Sequence, residues 1–429
     1  MYFVFIIIMK KIIHLLFNIE HLIIAIISLI FTAILFFLFS FDVGFLNPVR
    51  RAFADFSMSD VYYSIIWQGS EPTKSEHITL VDIDTLFLRK DIAKVISTVD
   101  EYNPKVVGVD IIFEGRKFDE KGDSLLTAAL ENNFENKVIG YKLLEPSGFT
   151  NFQNSLHSFC VDDLTFIDEG YTNALYSEAG TTLRLFTMFR EENGVPTYSF
   201  PAKVYNKYIE NYEEIDTTQL NNRHINFSTT DFPVVRFDSI ANHPELIKDH
   251  IVLIGTINEE ADMHYCPIGR LPGLKIQAYS LQSLIDQYEI KVLDEGSIWI
   301  LAIIATLLTE IMQFSILHWL KQKQQAWTDF LLKSVVFIRL FTFTVLALIA
   351  YFAFLIYILK GYFIGTTAIL IAAVLTSEAR GFYTALINYI VGYYVKHQKI
   401  IIIRNSLFIT PEQIKEWEEY IEKENNKEK

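Results

Sequence analysis

The chain has 429 residues, 51% of them hydrophobic, and a formal net charge of −14. The apolar excess sits in a few long runs toward the two ends, with an ordinary polar stretch between them. That distribution excludes a purely soluble enzyme and a disordered chain, and without a basic patch in the central region nucleic acid is not expected as a partner.

Residues 1–18 read as a cytoplasmic N-terminus. Met9 followed by Lys10 and Lys11 looks like a start, with residues 1–8 as an extension ahead of it. A bilayer core about 30 Å thick needs roughly 20 apolar residues in a helix, and residues 19–41 supply them. The run far exceeds a signal-peptide core, and no clean Ala-x-Ala site follows, so an uncleaved anchor is expected.

Residues 42–296 are long enough to bury a substantial core. His77–Asp84 (HITLVDID) and Lys105–Phe113 (KVVGVDIIF) read as buried strands, as do Lys137–Leu143 and His250–Ile257. Between them, Ile92–Tyr102 has helical spacing through Ile92, Val95, Ile96 and Val99, and Asn103–Pro104 breaks it. Asp123–Asn133, Tyr198–Tyr208 and Leu274–Tyr288 are further helices, and Ile225–Phe227 is a short strand. Residues 145–235 are otherwise less regular. Apolar strand runs alternating with helices predict an α/β domain with a mostly parallel sheet covered on both faces.

Residues 297–378 hold three more predicted spans, for about four in all: Ile298–Leu317 with Glu310 inside it, Ser334–Leu359 with Arg339 near one end, and Gly361–Ser377. Lys10 and Lys11, then Lys321, Lys323 and Lys333, then Arg380, Lys396, Lys399 and Arg404 fall on one side of such a bundle. That side is expected to be the cytoplasm; Arg50 and Arg51 run against this and are outnumbered. Residues 42–296 hold 40 acidic and 22 basic side chains, a net of −18 that leaves +4 for the remainder. An acidic body outside and a basic inner face is the expected asymmetry.

The tail, residues 379–429, is predicted to be cytoplasmic. Arg380–Lys399 is aromatic-rich and reads as a helix along the membrane surface. Lys399–Phe408 is an apolar β-branched run too short to span. Thr410-Pro411-Glu412 opens a charged helix, Pro411–Lys427, with Ile414, Trp417 and Ile421 on one stripe. Residues 399–427 are therefore expected to dock a cytoplasmic partner or a second copy of the chain in a homodimer; a solvated terminus is the alternative.

Taken in order, the segments VDID at 81–84, PKVVGVDIIF at 104–113, FIDEGYTN at 166–173, TTLRLF at 181–186, YSFPAKVYNKY at 198–208, INFSTTDFPVVRF at 225–237 and the long HIVLIGTINEEADMHYCPIGRLPGLKIQAYSLQSLI at 250–285 resemble the type 2 CHASE domain. This is an extracellular sensory domain associated with cyclases, histidine kinases and other bacterial signalling enzymes. The resemblance implies a membrane sensor in a bacterial inner membrane; the chain departs from the family downstream, where no kinase or cyclase domain follows the last span, so a stand-alone form is expected. The chain also departs from the family at Leu86–Asp91, where LFLRKD replaces a Trp- and Pro-rich stretch and Arg89 is the one apparent survivor. Gln277 stands where His is common.

The candidate ligand-binding residues are Asp82, Asp84, Asp110 and Asp262, all near strand ends, where parallel sheets bind ligands. Converging carboxylates suit a hard cation or a cationic or hydroxylated small ligand; helix capping is the competing role. No Asp-x-Asp-x-Asp-Gly calcium loop occurs, and His264 with Asp262 and Cys266 makes at most an incomplete zinc set, so no metal and no cofactor is expected. Cys160 and Cys266, about 106 residues apart, are a candidate disulfide. Within the spans, Glu310 and Arg339 are candidates to pair with each other, Arg339 alternatively reaching the interface. No nucleophile, metalloprotease or phosphate-loop motif occurs, so no enzyme is predicted. The expected function is a membrane sensor that signals to a separate cytoplasmic partner; the alternative is an envelope scaffold that binds another envelope protein.

Overall fold

A computed structural model describes residues 18–40, 58–69, 71–83, 86–146, 151–160, 167–174, 182–211, 221–323, 325–333, 335–396 and 411–427. The chain divides into two compact units, Pro48–Ile290 and the two ends together, Met1–Asn47 with Lys291–Lys429. The first long apolar helix, α1 (Ile19–Ser40), belongs to the latter.

In the Pro48–Ile290 unit, helix α2 (Met58–Gly69) precedes a nine-stranded sheet. Its strands are β1 (Ile78–Asp82), β2 (Val106–Val109), β3 (Lys137–Pro146), β4 (Asn151–Leu156), β5 (Asp168–Tyr171), β6 (Phe189–Glu192), β7 (Val195–Tyr198), β8 (Val234–Arg236) and β9 (Ile251–Gly255). Six run parallel in the order β8-β1-β9-β2-β3-β5. From the far half of β3 the sheet continues differently: β4 is antiparallel to β3, β6 parallel to β4, and β7 antiparallel to β6.

The strand period of two sorts side chains onto two faces. Ile78, Leu80, Val106, Ile251 and Leu253 point to one, against α5 (Phe200–Tyr208) and α6 (Gly273–Ile285). Val81, Val107, Val109, Val252 and Ile254 point to the other, against α3 (Arg89–Glu101) and α4 (Glu120–Glu131). Each fully buried aliphatic side chain contributes about 1.5–3 kcal/mol. The three-layer arrangement is the one the apolar runs predicted.

Local signals set the boundaries. Helix α3 ends where Asn103 takes a left-handed φ of 53° ahead of Pro104, a common terminator. Asp119 caps α4, accepting from the Gly122 N–H at 3.1 Å. The predicted strand Lys105–Phe113 stops pairing at Val109, so Asp110 is the first residue beyond the ladder. Ile225–Phe227 is not a strand. Ile225 and Phe227 are buried, but the ladder lies just before them, at Asn222–His224 against Leu185–Thr187.

The two cysteines are not bridged, which corrects the disulfide expectation. Cys160 packs in the α3–α4 core and Cys266 in the α5–α6 core, so the sheet itself lies between them. Burial pushes the Cys266 thiol up to about 11, in keeping with an inert side chain.

The other unit contains α1, α7 (Glu295–Lys323), α8 (Val335–Lys360), α9 (Thr366–Val374), α10 (Thr376–Lys396) and α11 (Pro411–Lys427). Among the described residues three helical segments are long and apolar enough to cross a membrane, Ile19–Leu38, Glu295–Lys323 and Arg339–Lys360. The count is four if the pair Thr366–Val374 and Thr376–Ile390, bent by 44°, is one span. The expected fourth span at 361–377 is thus a short helix that bends and runs on past residue 378. Glu310 does not pair with Arg339. It binds Arg380, while Arg339 reaches Glu378 at 2.9 Å and is half-exposed. Helix α11 forms as predicted, whereas the apolar run Lys399–Phe408 lies outside the described residues.

Candidate functional site

The carboxyl ends of β1, β9, β2, β3 and β5 lie side by side, and parallel sheets bind ligands at such an edge. Asp82 closes β1, in register with Gly255 of β9 on one side and Arg236 of β8 on the other. Asp110 follows β2, its N–H donating to the Ile254 carbonyl at 2.9 Å. By strand parity Asp82, Gly255 and Asp110 share the face that carries α6. Asp82 and Asp110 are two strand spacings apart, roughly 9.6 Å at the backbone. Asp84 lies outside the described residues.

Glycine forms the floor between them. A Cβ at Gly255 would lie 3.5 Å from the Asp110 Cβ and 3.0 Å from the Leu274 side chain. One at Gly140, on β3, would lie 2.7 Å from the Thr172 methyl and 3.5 Å from an Asp110 carboxylate oxygen. Side chains at either position would fill the space over the strand ends.

Asp262 arrives from another direction. The hairpin β10 (Met263–Cys266) and β11 (Gly269–Pro272) folds back on itself and brings it to the start of α6. There Asp262 accepts the Gly273 N–H at 2.9 Å, placing a negative charge at the positive end of a helix. Asp262 thus takes the competing role at the helix start with one of its two oxygens. His264 Nε2 lies 3.4 Å from its other oxygen. Four residues into α6, the Gln277 amide donates to the Thr172 carbonyl at 3.0 Å, joining α6 to the end of β5.

Asp110 is partly buried, and its acidity reports the surroundings. Burial first, then the charge of Asp262, raise it from the ordinary carboxylate range to about 7, with His264 acting weakly the other way. Among the described residues no Lys or Arg is ion-paired to it, and no three His, Cys, Asp or Glu side chains converge as a metal set. The cradle thus holds a carboxyl group poised near neutrality, a second carboxylate, an imidazole and an amide. It suits a ligand that offers hydrogen-bond donors or a positive charge.

Thr172, Gly140 and Gly255 were not singled out by sequence, whereas Gln277 was noted as a departure from the family. The Pro272-Gly273 pair and the departure at Gln277 were the available signals. Arg89, the apparent family survivor, is not in the cradle. It is buried on the opposite face, 2.5 Å from Asp123, bonded to the Gly115 carbonyl at 2.6 Å and stacked 4.3 Å from the Phe159 ring.

A hydroxyl–imidazole–carboxylate chain occurs elsewhere. Ser155 Oγ is 2.8 Å from His157 Nε2, and His157 Nδ1 is 2.8 Å from Glu169. The Ser155 hydroxyl also donates to Glu192, and the imidazole stacks on Tyr141 at 4.6 Å. With the serine proton directed to a carboxylate, the imidazole acts as a clamp across β3, β4, β5 and β6, not as a base for a nucleophile.

The CHASE2 domain model matches residues 29–311. No curated protein and no solved structure matches the chain. CHASE2 is a sensory domain family, and the match takes in the whole sheet, the cradle and helices α1 and α7 in part. With about two thirds of its length inside that match, the chain belongs to the CHASE2 domain family.

Proposed function

We propose that the chain is a bacterial inner-membrane sensor, multi-pass, with the α/β domain outside and the C-terminal segment in the cytoplasm. The ligand is a small cationic or hydrogen-bond-donating molecule held in the cradle by Asp110, Asp262 and Asp82. The observation that carries this reading is Asp110: a half-buried carboxyl beside a second acid, at the carboxyl edge of a parallel sheet, with glycine on the strands flanking it. A protein keeps like charges together at a cost, and such places are enriched in binding sites. Binding shifts the population of two arrangements of the spans, as far as the ligand's differential affinity for them allows. Output passes to a separate cytoplasmic protein that docks on residues 399–427, and the chain itself is not an enzyme.

The test is the thermal unfolding of the full chain in lipid nanodiscs against a panel of amines, sugars, other small metabolites and divalent cations. A ligand at 100 times its dissociation constant adds about 2.7 kcal/mol. The reading expects a shift that disappears in Asp110→Asn. One observation favours the scaffold alternative. Phe87 and Phe118 stand fully in solvent on the loops that enter α3 and α4. No shift with any small molecule, together with a single envelope protein whose retention is lost in a Phe87→Ser/Phe118→Ser variant, selects the scaffold.

A further inference from the structure

The helical unit contains a charged cluster made by three separate helices. Glu310, fully buried midway along α7, accepts from Arg380 of α10 at 3.0 Å and 2.6 Å in a two-pronged contact. His21, fully buried on α1, lies 3.3 Å from the same carboxylate, its ring edge-on to Phe314. Arg380 also donates to Gln313 at 3.1 Å, and Gln313 donates to Thr342 of α8 at 3.2 Å. One turn further along α10, the Tyr383 hydroxyl donates to Glu20 of α1 at 3.1 Å.

Ionisable groups among apolar helices are costly and are kept where they pair and serve a purpose. Which helices the cluster joins is the informative part. In chain order, α1 precedes the α/β domain and α7 follows it. Helix α10 is the described helix that leads toward the C-terminal segment. Glu310 therefore holds, on one carboxylate, the two helices that flank the domain in the chain and the one helix that runs to the tail. Anchoring alone does not need this arrangement. Apolar packing already supplies contact between α1 and α10, as the rings of Phe31 and Phe382 at 5.6 Å show.

We infer that the Glu310–Arg380–His21 cluster is the transmission joint of the molecule, coupling the positions of α1 and α7 to that of α10. This rests on the sensor reading above. A shift of α1 along α7 must break or re-form the His21 and Glu20 contacts, and α10 is gripped by the same groups. A two-pronged ion pair among apolar helices has a small set of discrete partners. That discreteness makes the cluster suited to a two-state element.

Cross-linking and amide exchange test the inference in the full chain in nanodiscs. In a Cys160→Ala/Cys266→Ala background, the pair Phe31→Cys/Phe382→Cys reports on α1 against α10. Glu310→Gln and Arg380→Met are expected to lower its oxidative cross-linking several-fold, and the exchanged pair Glu310→Arg/Arg380→Glu to restore most of it. Coupling is reciprocal, so Glu310→Gln should also change amide protection at the cradle, residues 255–273. The expected change is at least about fivefold, the lower end of typical coupling. Unchanged cradle protection with reduced cross-linking marks the cluster as a structural staple and overturns the inference; unchanged cross-linking overturns it as well. Should Glu310→Gln fail to accumulate in membranes, His21→Gln cuts only the α1 arm and is read the same way. A wrong sensor reading shows instead as absent thermal shifts with all small molecules while the exchange coupling persists.

Discussion

At the strand ends Asp110 lies beside glycines on both neighbouring strands and feels the charge of a second acid, Asp262. In the helical unit Glu310 faces a guanidinium and an imidazole. Both carboxyls are withdrawn from water and both lie where separate chain elements meet, but their neighbours give them opposite tasks. A carboxylate beside another acid and without an ion-paired cation keeps affinity in reserve for something that arrives from outside. One already gripped by a two-pronged cation has spent that affinity on holding helices together. Sequence position alone makes the two look alike, as a single acid inside an apolar run. The partners, which come from elsewhere in the chain, separate them.

The contrast is broken most strongly by removing a cation from a buried pair. Arg89→Ala leaves Asp123 buried without its partner and removes two bonds to loop carbonyls. A buried ion left alone costs about 3–5 kcal/mol, which for a domain of this size lowers the melting temperature by about 10 °C. Limited proteolysis during a thermal ramp measures this directly. A loss below about 1 kcal/mol would mean that Asp123 reaches water unaided. The variant should leave the cradle's ligand response intact, because Arg89 lies on the other face of the sheet.

How much of this was legible beforehand follows from the range of each signal. The α/β layers were, because buried parallel strands carry uninterrupted β-branched runs and Asn103–Pro104 punctuates them locally. The edge formed by β4, β6 and β7 was not. Segments such as NFQNSL and FREE are short and half-exposed, and their pairing depends on where β3 leads them. The partner of Glu310 was misread for a similar reason. Arg339 seemed the natural choice while the fourth span was read as ending near residue 377. The bend at Leu375 lets α10 continue and returns Arg380 to the bundle. Asp110 and Asp262 were both named by strand-end reasoning, but the route by which Asp262 comes close to Asp110, a hairpin fold-back, has no local pattern that encodes it. The cysteines failed as a pair because facing is a property of the assembled sheet, not of spacing.

Asp110→Asn sharpens the contrast from the other side, with an effect of opposite sign. The folded-state value of Asp110 lies near 7, above the ordinary carboxylate value of 3.8. Between those two pH values the native state holds a proton that the unfolded chain does not. Stability from this group is therefore complete below about pH 4 and is lost as pH rises through 7. An Asn cannot ionise, so the variant should match the parent at pH 4 and exceed it at pH 8. Allowing for partial exposure, the gain is roughly 1–3 kcal/mol. Melting temperatures across that range test it, and a variant less stable than the parent at pH 8 would show that the ionised carboxylate is paired after all. A protein made more stable and unresponsive by one atom's change would be the mark of a binding site that costs the fold something.

Asp262→Asn has the smallest expected effect and separates the two causes of the Asp110 shift. Asn is as good a helix cap as Asp, so the bond to the Gly273 N–H survives and the change in stability at pH 4 should be within about 0.5 kcal/mol. The negative charge next to Asp110 is gone. Burial is the larger of the two causes and remains, so the midpoint of the pH-dependent loss of stability should move down without returning to the ordinary carboxylate range. A midpoint that does not move would mean that Asp262 is too well screened to be felt, and that the cradle holds one effective charge. A midpoint that falls all the way would mean that water reaches Asp110 freely, and the site would then be defined by the acid pair. The intermediate result is the one that keeps both features of the cradle: a carboxyl removed from water, and a second acid that makes an incoming donor or cation more welcome.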